Sequence, residues 1–179
     1  MITLENQLVE SSRALTDLIV NNIYQHQERF DEIMELVYRD AYPVSMRAAW
    51  AAYLAFEKNP DLTLSHLSLI SEKLPHFKVD GVKRSALKIL HDQMHLLDED
   101  EFGLLADTAF EWAQSPRQPI AVRAFSIDIL VRTSERYPEI IPELKALLET
   151  ILPDGSAGLK NKCQKLIQKI KVQNSKSES

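Results

Sequence analysis

The sequence predicts an all-α fold, a right-handed α-α superhelix of four helix pairs behind one N-terminal capping helix. Three observations lead there. First, one stretch occurs four times: Pro43 begins PVSMRAAWAAYLAFEK, Val79 begins VDGVKRSALKILHDQM, Pro119 begins PIAVRAFSIDILVRTSER and Ser156 begins SAGLKNKCQKLIQKIK. Second, the copies agree by column around Arg47, Lys83, Arg123 and Lys160, which stand 36, 40 and 37 residues apart, a period of repeat architectures. Two residues before each of these anchors is a small residue (Ser45, Gly81, Ala121, Gly158), and one before is an apolar residue (Met46, Val82, Val122, Leu159). Six and seven after come apolar pairs: Tyr53/Leu54, Ile89/Leu90, Ile129/Leu130 and Leu166/Ile167. Third, the chain has only 4 Gly and no convincing strand alternation, which suits long helices with short corners.

The elements follow in order. Thr3 to about Asn22 carries Leu8, Leu15, Leu18 and Ile19 at mostly helical spacing and reads as the N-terminal cap of the stack. Two kinds of helix then alternate. The A helices are predicted over 24–39, 61–74, 98–113 and 137–150, and the B helices over 43–59, 81–96, 119–136 and 156–171. Tyr42-Pro43, Gln118-Pro119 and Leu152-Pro153-Asp154-Gly155 are breaks, because the residue before proline avoids the helical region. Asn59-Pro60 and Tyr137-Pro138 end B helices. Asp98 to Glu101 places four acids at a helix start, where the macrodipole favours them. The expected domain covers 1–172, with 173–179 (QNSKSES) as a disordered tail.

Composition narrows the setting. A chain of 179 residues is long enough to bury roughly 70% of its unfolded surface as one domain. The start, MITLENQLVESSR, is acidic and lacks the apolar core of a signal peptide. The longest apolar run, Ala48–Phe56, is far short of a membrane span. The one cysteine, Cys163, shares a repeat column with Trp50, Ala86 and Ser126 and reads as a small buried thiol. The expected location is the cytoplasm, with no membrane contact.

A break, a proline and then an apolar-basic pair (PVSMRA, PIAVRA) resemble the HEAT repeat, whose second helix carries Val-Arg near its start. The likeness covers about 24–171. The HEAT turn carries an Asp about six residues before the Arg; Asp154 fits, Asp40 is one residue off, and the middle copies have none. Lys replaces Arg in two copies. The chain is also similar to a group of small bacterial HEAT-like proteins, some carrying an inherited name of adenylosuccinate lyase. That chemistry has no support in the residues. The lyase family is much longer and has a GSSxMPxKxNP loop, whereas Gly155–Asn161 lacks the second Ser and the Met-Pro.

On a helical wheel the apolar columns of the B helices form one arc, with the anchor cation at its edge. Arg47, Lys83, Arg123 and Lys160 are therefore expected to be structural, bonding turn carbonyls or acids of a neighbouring repeat. The opposite arc should face solvent. It carries Arg84, Lys88, His91, Asp92 and His95 in the second copy, and Asp128, Arg132, Glu135, Asn161, Lys165, Gln168 and Lys169 in the third and fourth. In the first copy it is apolar (Ala48, Ala52, Ala55, Phe56), so either the N-terminal helix covers it or it forms a small exposed patch. Over these spans the A helices hold 15 acids and 4 bases, a balance of −11, and the B helices 13 bases and 4 acids, a balance of +9. B helices line the concave side of HEAT stacks, so the resemblance implies a basic inner groove.

His91 and His95 stand one helical turn apart, a spacing that chelates metals, but the zincin pattern needs Glu where Asp92 stands and a third ligand. No Gly-rich phosphate loop, GxSxG or Cys-His-Asp set occurs. No catalytic residue, cofactor or metal is expected. The leading reading is a non-enzymatic scaffold that takes an acidic protein or peptide on Arg84, Lys88, Arg132, Lys165 and Lys169. The alternative is nucleic-acid binding, including the HEAT-like alkylpurine DNA glycosylases. Those need groove aromatics, and here Trp50 lies in the apolar arc, Trp112 on an A helix and only Phe56 in the groove.

Overall fold

The computed structural model describes residues 4–153 and 155–177; among them there is no strand. Asp154, matched above to the HEAT turn, and Thr3 lie outside the described residues. The chain divides into two compact units, Met1–Leu105 and Ala106–Ser179, with the boundary inside one helix.

In the first unit, α1 (Leu4–Gln7) and α2 (Arg13–Ile23) replace the single N-terminal helix expected. The break has a local cause. Ser12 caps α2 by accepting the Leu15 N–H at 3.3 Å. The Leu8 carbonyl, freed from helical bonding, accepts from the Arg47 guanidinium at 2.8 Å, whose Nε also donates to Ser11 Oγ at 3.3 Å. Next come α3 (Gln27–Tyr38), α4 (Val44–Lys58), α5 (Leu67–Lys73), α6 (Asp80–Gln93) and the first half of α7 (Glu99–Gln114). The second A helix is only half α-helical. Pro60–His66 is a 3-10 helix, its tight turns braced by Thr63, whose hydroxyl bonds the Pro60 carbonyl at 3.0 Å. The other four A and B helices that begin in this unit, α3, α4, α6 and α7, each start within three residues of the expected start, and α7 opens on a capping box. There Asp98 Oδ1 accepts the Glu101 N–H at 2.8 Å, and Glu101 Oε2 accepts the Asp98 N–H at 3.1 Å.

The apolar B helix α4 is the centre of this unit, packed against α2, α3 and α6. Ala48, Ala52, Ala55 and Phe56 are all buried. Lys58 Nζ donates to Asn21 Oδ1 at 2.8 Å and Asn59 to the Tyr24 carbonyl at 3.1 Å; with Arg47 bonded to Leu8, the N-terminal segment is held to α4 near both its ends. The apolar face of the first copy is therefore buried among the helices packed on α4 and forms no surface patch.

Polar contacts between repeats join residues about one period apart, as expected where each repeat touches only its neighbours. Asp40 is the clearest case. It sits at φ 49° in the left-handed region, which Asp tolerates better than most residues. From there its carboxylate accepts the N–H of Lys78 at 2.6 Å and of Val79 at 3.0 Å, at the start of α6. Although one residue out of register with the HEAT pattern, Asp40 bridges two repeats. The small column has two causes. Ser45 is fully buried and joins the Ala41 N–H (2.8 Å) to the Leu36 carbonyl (2.5 Å) across the turn. At Gly81 a Cβ would meet Met46 Cγ at 2.5 Å, so α4 and α6 cross too closely for a side chain there.

The second unit comprises the rest of α7 with α8 (Ile120–Arg136), α9 (Ile141–Ile151, after a 3-10 turn at Pro138–Ile140) and α10 (Ala157–Ser177). α9 packs against α8 and α10 around Ile127, Ile129, Leu130, Leu148 and Cys163, all fully buried. The backbone of α10 continues through Ser177, into the stretch expected as a tail; Glu178 and Ser179 lie outside the described residues. Of the residues in the apolar arc of the B helices, Leu54, Leu90, Ile129 and Leu130 are buried, while Trp50, Tyr53 and Leu166 are half-buried.

Candidate anion-binding surface

Three of the four anchor cations have internal partners. Beyond the Arg47 contacts, Arg123 Nε donates to the Ala113 carbonyl at 3.0 Å, satisfying one of the unpaired carbonyls at the end of α7. Lys83, almost covered, lies 3.8 Å from Asp80 one turn earlier on α6. Lys160 is half-buried.

The five candidate binding cations divide between the units, Arg84 and Lys88 in the first and Arg132, Lys165 and Lys169 in the second. Arg84 is exposed. Lys88 is half-buried, its ammonium 3.6 Å from the centroid of the Tyr53 ring on α4, a cation–π contact between successive B helices. Tyr53 is held in place by donating to Glu57 Oε1 at 2.7 Å. Burial pushes the Lys88 pKa down, Glu57 and Asp92 oppose this, and Arg84 adds to it. Burial also pushes the Tyr53 hydroxyl up, reinforced by its bond to Glu57 and the charges of Glu57 and Asp92. Acids and bases are thus interleaved on α4 and α6.

In the second unit Lys165 and Lys169 are exposed on α10 and Arg132 is half-buried on α8. The two helices are joined by an ion pair, Lys162 Nζ to Asp128 Oδ1 at 2.6 Å. Arg132 lies four residues from Asp128, and Lys165 and Lys169 lie three and seven from Lys162, so all three share helix faces with the pair. The exposed acid Glu135 stands one turn beyond Arg132. Cys163 is fully covered between these helices. Burial pushes its thiol up, and the charges of Arg123 and Lys162 pull it only partly back.

The His91/His95 spacing is not realised on one helix. α6 ends at Gln93, and His95 lies in the 3-10 turn Met94–Leu96, while His91 Nδ1 is 2.8 Å from Asp92 Oδ1. Among the described residues no three His, Cys, Asp or Glu are grouped to hold a metal, and no helix is long and apolar enough to cross a membrane.

One polar network was missed from the sequence. His66 is held between Asp31 Oδ1 (2.8 Å from Nε2) and the Tyr38 hydroxyl (3.1 Å from Nδ1), with the Phe30 ring edge-on to it. Burial raises the Tyr38 hydroxyl and the Asp31 charge adds to that. The Asp-His-Tyr network binds the first A helix to the second. The available signal was the separation of Asp31 and His66 by 35 residues, about one period.

A family model described as a HEAT repeat domain matches residues 4–170. Comparison with curated proteins and with solved structures gave no match.

Proposed function

The chain belongs to the HEAT repeat family, and from that premise we propose a protein-interaction scaffold that takes an acidic segment of a partner protein on the cations of its B helices. HEAT repeats commonly mediate protein interactions and are typically not enzymes. Each unit offers its own contacts, Arg84 and Lys88 in the first and Arg132, Lys165 and Lys169 in the second. The observation carrying this reading is the segregation of charge, −11 on the A spans against +9 on the B spans. A surface with an excess of one sign raises the local concentration of oppositely charged partners and speeds their capture. Phe56, the one aromatic expected in the groove, is buried, which favours a polypeptide over a stacked nucleic-acid base.

The test is charge reversal of Lys88, Arg132 and Lys165 together, with helicity checked by circular dichroism. Binding of a labelled oligoglutamate peptide, followed by fluorescence anisotropy, should be strong at low salt, fall as salt rises and be lost in the variant. A triple variant that binds like the parent protein overturns the reading.

A further inference from the structure

The fourth B helix is the most basic of the four, with five lysines. The last copy has no acid between Ser156 and Lys171, yet Lys162 is not offered to solvent like Lys165 and Lys169. Its ammonium sits 2.6 Å from Asp128, with side-chain exposures of 27% for Lys162 and 40% for Asp128. The pair is wet enough to exchange. A half-exposed ion pair contributes only modest net stability, because water still reaches both charges. An incoming carboxylate can therefore replace Asp128 at small cost.

We propose that Asp128 gates the cationic face of α8 and α10: its carboxylate occupies Lys162 until an acidic polypeptide segment displaces it, and Lys162 then joins Arg132, Lys165 and Lys169 in holding that segment. This rests on the reading of the B-helix cations as the binding surface, and it places a gate and a further contact there. The spacing suits an extended peptide. Lys165 and Lys169 lie four residues apart, about 6 Å along the helix. An extended acidic chain presents a carboxylate on one side about every 7 Å. Asn161 and Gln168, both exposed beside these lysines, supply amides for the peptide backbone between charges. Asp128 and the exposed Glu135 interrupt the field. That is tolerable to a peptide with spaced acids and unfavourable to the continuous charge of a phosphate backbone.

The experiment compares the full chain, Asp128→Asn, Lys162→Met and the double variant. Each is titrated against labelled oligoglutamate and against a single-stranded oligothymidylate, after circular dichroism confirms the fold. Asp128→Asn keeps the shape and removes the competing charge, so it should tighten oligoglutamate binding about three- to tenfold. Lys162→Met should weaken binding, and the double variant should lose the gain. Asp128→Ser, which cannot hold Lys162 by charge, should reproduce the tightening if Asn perturbs the helix. Binding that charge reversal of Arg132 and Lys165 abolishes, but that neither Asp128 variant tightens, overturns the gate and leaves the surface standing. Tighter binding of the oligonucleotide than of oligoglutamate overturns the partner class. Failure of both probes to bind overturns the gate together with the reading beneath it.

Discussion

Asp40 offers a direct measure of how strongly adjacent repeats hold one another. Its carboxylate accepts two backbone N–H groups at the start of α6, and its own backbone lies at φ 49°. Hydrogen bonds to a charged group contribute about 1.5–3 kcal/mol each when well buried. Asp40 is only half-buried, so the two together should contribute about 1.5–3 kcal/mol. Asp40→Gly removes both bonds and relaxes the left-handed backbone, but adds freedom to the unfolded chain; a loss of about 2 kcal/mol is expected. Asp40→Ala loses the same bonds and adds about 1 kcal/mol for a Cβ in the left-handed region. Asp40→Asn keeps the backbone preference and one accepting oxygen, and should cost about 1 kcal/mol. The order of stability is therefore Asp, Asn, Gly, Ala. Urea denaturation reads it, followed through the fluorescence of Trp50 in a Trp112→Phe background, so that the signal comes from the first unit. Asp40→Gly matching the parent protein would show that the bridge contributes nothing. Asp40→Ala no less stable than Asp40→Gly would refute the backbone argument.

Leu130 is fully buried on α8, and Leu130→Ala should cost about 2–5 kcal/mol in urea denaturation followed through Trp112; a loss near zero would place the repeat columns out of phase. Gly103 has nothing within 4 Å of an added Cβ, so Gly103→Ala should stabilise α7 by about 0.5–1 kcal/mol. Gly81→Ala must push Met46 aside and should cost about 1–2 kcal/mol, so equal effects at the two glycines would contradict the packing described. Burial pushes the Asp31 carboxyl up, but hydrogen bonds from Gln27 and His66 and the charge of His66 outweigh it, leaving the pKa below the ordinary value. A lowered folded pKa stabilises above the unfolded value near 3.9, and that contribution is lost as pH falls through the folded pKa. The stability difference between the parent protein and Asp31→Asn should be larger at about pH 5 than at about pH 3. A gap that widens on acidification would refute the sign.

The sequence by itself determined the architecture. Four copies in phase located each B helix to within a residue or two at its start, because apolar spacing and proline breaks act through local backbone geometry. Leu90, Ile129 and Leu130 could be named as core from their column alone. The partners of the polar groups were decided only by the tertiary structure. Nothing local to Lys88 reveals that it rests on Tyr53, nor anything local to Lys162 that it meets Asp128. The same holds for His66 between Asp31 and Tyr38, and for Asp40 reaching α6 from one residue out of register. The split of the first helix at Ser12 and the 3-10 start of the second A helix belong with these, since Arg47 and Thr63 hold them. The physical reason is range. Helix formation and burial tolerate shifts of an ångström or more along the stack, whereas an ion pair or hydrogen bond weakens steeply over a fraction of one. A repeat period of 36, 40 or 37 residues specifies which helices are neighbours, but not the offset between their side chains.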